Sequence, residues 1–291
     1  MNATTHHTAH AHPAANVHAA HTHHTADPHA HHAADAHAHH TPDTHAAHAG
    51  AVPGGLQITE AGYTLELETP IVDAGHIDFR FRILGPDGAA VTDFTAIHER
   101  ELHLIVARRE LTGFQHVHPV RDEHGTWSIR LEVTEPGAYR VFTDIAPRAL
   151  GRTLTLGADL AVAGRYAPRP TPAPERTVTV DDYQVTVAGD PVPGEGRVLT
   201  FTIHKDGTPV TDLDPHLGAY GHLVVLRAGD LAYVHVHPSG EPGDGITPAG
   251  PGIDFHTVVP GPGTYRLFLD FRHHGVVRTA AFTLNAAPAG H

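Results

Sequence analysis

The chain has 291 residues, no cysteine, and a formal net charge of −13 when its 31 histidines are neutral. That length suffices for two ordinary domains. The missing thiols exclude disulfides, thiolate metal sites and thiol catalysis. The acidic balance disfavours nucleic acid, which needs a basic face to neutralise phosphates. Any bound metal must therefore be held by nitrogen and oxygen.

Residues 1–50 hold sixteen of the histidines among Ala, Thr, Asp and Pro, with Val17 almost the only larger apolar side chain. Such a stretch cannot bury enough surface to offset the entropy of ordering, and it is expected to be a disordered tail. By composition it should also collect Cu, Ni or Zn weakly. It lacks the basic start and apolar run of a secretory signal, and no later segment reaches the roughly 20 apolar residues of a membrane span. Localisation is therefore open at this stage.

From about Leu56 short alternating runs separated by turn residues take over. Ile77, Phe79, Phe81 and Ile83 share one face of an expected strand, as do Trp127, Ile129, Leu131 and Val133. Trp127 is expected in the core. Residues 56–164 are expected to form one β-sandwich. A run containing Pro168, Pro170, Pro172 and Pro174 marks 165–176 as an extended linker, and 177–286 as a second sandwich. The fold class is all-β, two tandem immunoglobulin- or cupredoxin-like sandwiches.

The second half repeats landmarks of the first: Val91-Thr92-Asp93 returns as Val210-Thr211-Asp212, and Pro136-Gly137-Ala138-Tyr139-Arg140 as Pro262-Gly263-Thr264-Tyr265-Arg266. Seven extra residues fit the Gly/Pro-rich loop from Ser239 to Gly252. Tyr139 and Tyr265 each follow Pro-Gly at a strand entry, the setting of a tyrosine corner, and are expected to be structural. Arg108-Arg109 reads as a solvated strand end.

The chemistry lies in two H-x-H-P tetrads, His116 to Pro119 and His235 to Pro238, each preceded at the same distance by a third histidine, His103 and His222. Imidazole is the commonest protein ligand for Cu, Zn and Ni, and the duplication argues for two metal-ligand trios. Around Ala228-Gly229-Asp230-Leu231, a two-residue turn would place His222 opposite His237, with His235 diagonal on the same face. The equivalent pairing puts His103 opposite His118, and a one-residue slip would still keep that trio on one face. Beyond His103 the strand is apolar on both faces, so both are expected to be covered. Asp144, Asp270, His98, His216 and His256 are further candidates for a fourth ligand.

Leu102 to Pro119, Tyr220 to Pro238 and the Pro-Gly-x-Tyr-Arg strands resemble a group of bacterial, often actinobacterial, proteins labelled heavy-metal-binding or cupredoxin-like secreted proteins. The resemblance covers about residues 56–286. It implies tandem sandwiches outside the cytoplasm, with His103, His116, His118 and their counterparts as ligands. The chain departs from that group in opening with a histidine tract where an export signal is expected. It also has no cysteine for a blue-copper site.

Together these readings predict a protein that captures, buffers or delivers a transition-metal ion, Cu(II) or Zn(II), with Ni(II) a further candidate at the tail. The spacing names no delivery partner. The alternative is an adhesion or partner-binding module with pH-sensitive histidines. A three-histidine zinc hydrolase is the weaker third reading, since no general base or oxyanion feature accompanies the trios.

Overall fold

The computed structural model describes residues 52–234 and 236–288; the histidine-rich N-terminal segment and His235 lie outside them. The first half runs β1 (Thr59–Glu60), β2 (Tyr63–Leu67), β3 (Ile71–Asp73), β4 (Gly75–Leu84), β5 (Leu102–Arg108), β6 (Phe114–Val117), β7 (Val120–Arg121), β8 (Thr126–Val133), β9 (Gly137–Ile145) and β10 (Leu154–Ala163). The second continues with β11 (Thr177–Val180), β12 (Tyr183–Ala188), β13 (Arg197–Lys205), β14 (Thr208–Pro209), β15 (Gly221–Arg227), β16 (Tyr233–Val234), β17 (His237–Pro238), β18 (Gly252–Thr257), β19 (Gly263–His273) and β20 (Val276–Ala286). Each half is a two-sheet sandwich. The sheet orders are β1-β2-β4-β8-β7 over β3-β10-β9-β5-β6, then β11-β12-β13-β18-β17 over β16-β15-β19-β20, with β14 paired to β13.

Alternation explains the cores. In β4, Phe79, Phe81 and Ile83 point into the first sandwich while Arg80 and Arg82 face solvent. Trp127 on β8 is buried there and stacks on Phe81. The two Tyr-Arg strands start at tyrosine corners: Tyr139 Oη donates to the Glu135 carbonyl at 2.8 Å, and Tyr265 Oη to the Gly261 carbonyl at 2.7 Å. Tyr265→Phe is expected to lose about 1 kcal/mol in chemical denaturation, because it orphans a buried acceptor.

β5 and β15 obey a different rule, being buried along both faces. Leu102, Leu104 and Val106 fill the first sandwich's own core. Their neighbours Ile105 and Ala107 belong to a third apolar cluster with Leu111, Phe142, Val224, Leu226, Leu231, Tyr233 and Phe268. This cluster packs the β5/β9 sheet of one sandwich against the β15/β19 sheet of the other. Phe114 stacks on Phe268 with ring centroids 3.9 Å apart and planes 3° off parallel, and Phe142 meets Tyr233 at 5.7 Å. The double apolar pattern of these strands is thus the mark of a sheet covered on both sides.

Two sequence expectations are corrected here. The β15–β16 connection keeps the expected centre between Gly229 and Asp230, but it is a four-residue loop closed by Arg227 N–H donating to the Ala232 carbonyl at 3.1 Å. Leu231 accepts a positive φ of 63° to close it. Arg108 is not solvated: it is buried and ion-paired with Glu110 at 2.9 Å and with Glu135. A buried guanidinium needs such partners.

Candidate metal centre

His103 alternates with Leu102 and Leu104, so it lies on the outward face of its sheet, the face that meets the other sandwich. Pairing of Leu104 with Val117 and of Ile105 with His116 brings β6 alongside and puts His116 on the same face. This is the expected register. His118 follows where the chain leaves that sheet for β7 in the opposite one, a departure that Pro119 enforces by having no N–H to donate. His103 Nδ1 lies 3.0 Å from His116 Nε2 and 3.1 Å from His118 Nε2. The three residues form a cluster whose ligand atoms all lie within 4.8 Å of one another.

Two of the remaining ring nitrogens, those of His103 and His116, are held in place. His103 Nε2–H donates to the Ile97 carbonyl at 2.8 Å, which leaves Nδ1 as a lone pair directed at the cluster. His116 Nδ1–H donates at 2.8 Å to Asp270 Oδ2, a carboxylate of the second sandwich, and leaves Nε2 as a lone pair. Two acceptor nitrogens therefore face each other at 3.0 Å. A proton between them would create a buried imidazolium. Burial, with His116 beside it, holds His103 down to about 4, and burial with the neighbouring rings holds His118 down to about 2.

The second trio does not repeat this arrangement among the described residues. His222 lies on the outward face of β15, and its Nε2–H donates to the His216 carbonyl at 2.8 Å, as His103 does to Ile97. Burial brings its pKa down to about 3. It turns toward the first trio, with ring centroids 6.3 Å from both His103 and His116. His235 lies outside the described residues. His237 is exposed and paired with His256 in the ladder of β17 and β18, not with His222 in the ladder of β15. The physical reason is the early switch of sheets: β16 ends at Val234, before the expected ladder reaches His222. Among the described residues one trio converges, joined by a histidine of the other sandwich, where two independent trios were expected.

The other fourth-ligand candidates divide by position. A cavity of about 40 Å³ between the sandwiches is lined by His98, His103, His116, Asp144 and His222, with Tyr233 among its walls. That is room for an ion and a water. His98 packs its ring 5.1 Å from that of His222. His216 acts through its carbonyl; burial, first among several causes, lowers its own pKa. Thr155 and Thr279 were not singled out from the sequence. Each donates its hydroxyl to the aspartate across its ladder, to Asp144 at 3.1 Å and to Asp270 at 2.5 Å. A threonine in a strand gives no sequence signal for such a role. A separate cluster of Asp212, His273 and His274 lies elsewhere in the second sandwich. Its His273 already bonds Tyr183 Oη at 2.8 Å and Asp212 at 3.0 Å.

No curated protein matches the chain. Among solved structures it is similar to invasin, a bacterial integrin-binding protein, at 10% identity and a TM-score of 0.25, over 78% of this chain and 39% of that one. Yersinia pseudotuberculosis InvD is similar at 13% identity and a TM-score of 0.26, over 79% and 59% of the respective chains. The D0-D1 domain of intimin is similar at 9% and 0.22, over 76% and 96%. The chain thus spans less than two thirds of the first two, and likenesses this weak bear no functional argument. A family model matches twice, at residues 58–163 and 178–288, and it is described neither as a cupredoxin nor as a heavy-metal-binding family. The chain belongs to the family described as Domain of unknown function (DUF8832), of which it holds two tandem copies.

Proposed function

We propose that the protein binds and handles a transition-metal ion, Cu(II) or Zn(II), at His103, His116 and His118, with the histidine-rich N-terminal segment collecting ions for that centre. One observation carries this reading: His103 Nδ1 and His116 Nε2 are lone pairs 3.0 Å apart, each tautomer set by a bond at the ring's other nitrogen. Metal-bound histidines are oriented in this way, through carbonyl or carboxylate partners of the remote N–H. Nitrogens 3.0–3.1 Å apart that share one ion at ~2.05 Å subtend roughly 95°. That is nearer the right angle of tetragonal Cu(II) than the tetrahedral angle of structural zinc.

The test removes residues 1–51 and measures metal content after purification without a metal column. One tight equivalent is expected, with Cu(II) paramagnetic resonance showing nitrogen hyperfine structure. In the H103A/H118A variant its affinity should fall by more than the roughly 10–100-fold seen when an outer partner is lost. Binding at background level in the truncated protein, or undiminished binding in that variant, refutes the reading.

The second reading is a tandem-sandwich adhesion or partner-binding module, and it rests on the pair of β-sandwiches alone. It predicts that alanine at His222, His235 and His237 leaves metal stoichiometry unchanged and abolishes partner binding below about pH 6.

A further inference from the structure

Asp270 belongs to the second sandwich, yet its only imidazole bond among those described reaches His116 of the first. It is buried, and both oxygens are engaged: Oδ1 accepts from Thr279 Oγ1 at 2.5 Å and Oδ2 from His116 Nδ1 at 2.8 Å. Asp270 is also absent from the residues that line the cavity, so it meets the cluster through His116. Across three strands of each facing sheet runs a transverse row on the inter-sandwich face: His103, Asp144 and Thr155 in the first, His222, Asp270 and Thr279 in the second. The row of the second sandwich is what reaches over the seam.

We infer that Asp270 is a positioning residue that completes the first sandwich's metal centre from the second, so that ion binding and the docking of the two sandwiches are coupled. This rests on the metal-binding reading and adds to it a division of labour between the repeats. The first repeat supplies the ligands, and the second supplies the carboxylate that fixes the tautomer of His116 and leaves its Nε2 available. The coupling follows from linkage: an ion that binds only when His116 is oriented by Asp270 stabilises the docked arrangement, and loosening the docking weakens the ion.

The test uses the full chain loaded with one equivalent of Cu(II), with H103A/H118A as the blank that registers the N-terminal histidines alone. Asp270→Asn should bind the tight equivalent 10–100-fold more weakly than the unmodified chain. Pulsed paramagnetic resonance should show an altered quadrupole coupling at a remote ring nitrogen, because that nitrogen's N–H has lost its carboxylate. A purely structural role would leave that coupling unchanged in the protein that still binds. Thr279→Val, which keeps the charge and removes only the hydroxyl behind it, should weaken binding in the same direction by a smaller factor and keeps the test open if D270N fails to fold. Unchanged affinity and unchanged remote coupling in D270N, with the tight equivalent still lost in H103A/H118A, overturn the role of Asp270 and leave the metal centre standing. An unmodified chain that binds no better than H103A/H118A overturns both.

Discussion

Acidification of the metal-free protein from pH 7 to pH 5 is expected to lower its stability by about 4 kcal/mol or more, and a bound ion should oppose the loss. Burial, reinforced by neighbouring imidazoles, depresses His103 to about 4 and His222 to about 3 in the folded chain, against an ordinary value of 6.5. The unfolded chain therefore takes up protons that the folded chain refuses. Stability from these groups is fully present above pH 6.5 and is lost as pH falls from there through the folded values. At pH 5 each of the two is roughly 1.5 pH units below its unfolded pKa, which is about 2 kcal/mol apiece. His118 acts in the same direction but is partly solvated, so its share is smaller. A total of this size is a large part of the roughly 5–15 kcal/mol that holds a domain together. Urea midpoints of chelator-treated protein at pH 7, 6 and 5 would check it; a flat profile would show that the buried imidazoles do not control acid stability.

Phe268→Ala is expected to cost about 3–5 kcal/mol, from lost transfer energy and the cavity left behind. An aromatic pair adds about 0.5–1.5 kcal/mol beyond area, and Phe268 lies flat on Phe114 across the seam at 3.9 Å. Phe268 is 3% exposed and lies two residues from Asp270 on the same face of β19. The substitution should therefore loosen the joint that holds His116 as well as the fold. Denaturation of the loaded and metal-free variant separates the two effects: the stabilisation conferred by the ion should shrink along with the fall in midpoint. A full-sized ionic stabilisation in a destabilised variant would show that the seam and the centre are independent.

Much of this molecule was legible locally. Alternation at Phe79, Phe81 and Ile83 predicts a half-buried strand because side chains alternate across any strand. The repeat of His103, His116 and His118 predicts a shared face because hairpin pairing acts between near neighbours in the chain. The tyrosine corners at Tyr139 and Tyr265 follow equally from local spacing. The pairing expected for His237 differs for a related reason: the spacing is silent about where a strand abandons its sheet, and β16 does so before His237.

The sequence by itself determined two β-sandwiches, the hairpin registers and the first histidine trio, all properties set by neighbours along one or two strands. Only the tertiary structure decided that the histidine faces are turned outward and toward each other. Burial of Ile105, Ala107 and Phe142 against Val224, Leu226 and Phe268 brings together residues more than eighty positions apart, and no periodicity in either strand encodes which apolar face will meet which. That meeting puts Asp270 on His116 and gathers side chains of both repeats into one histidine cluster.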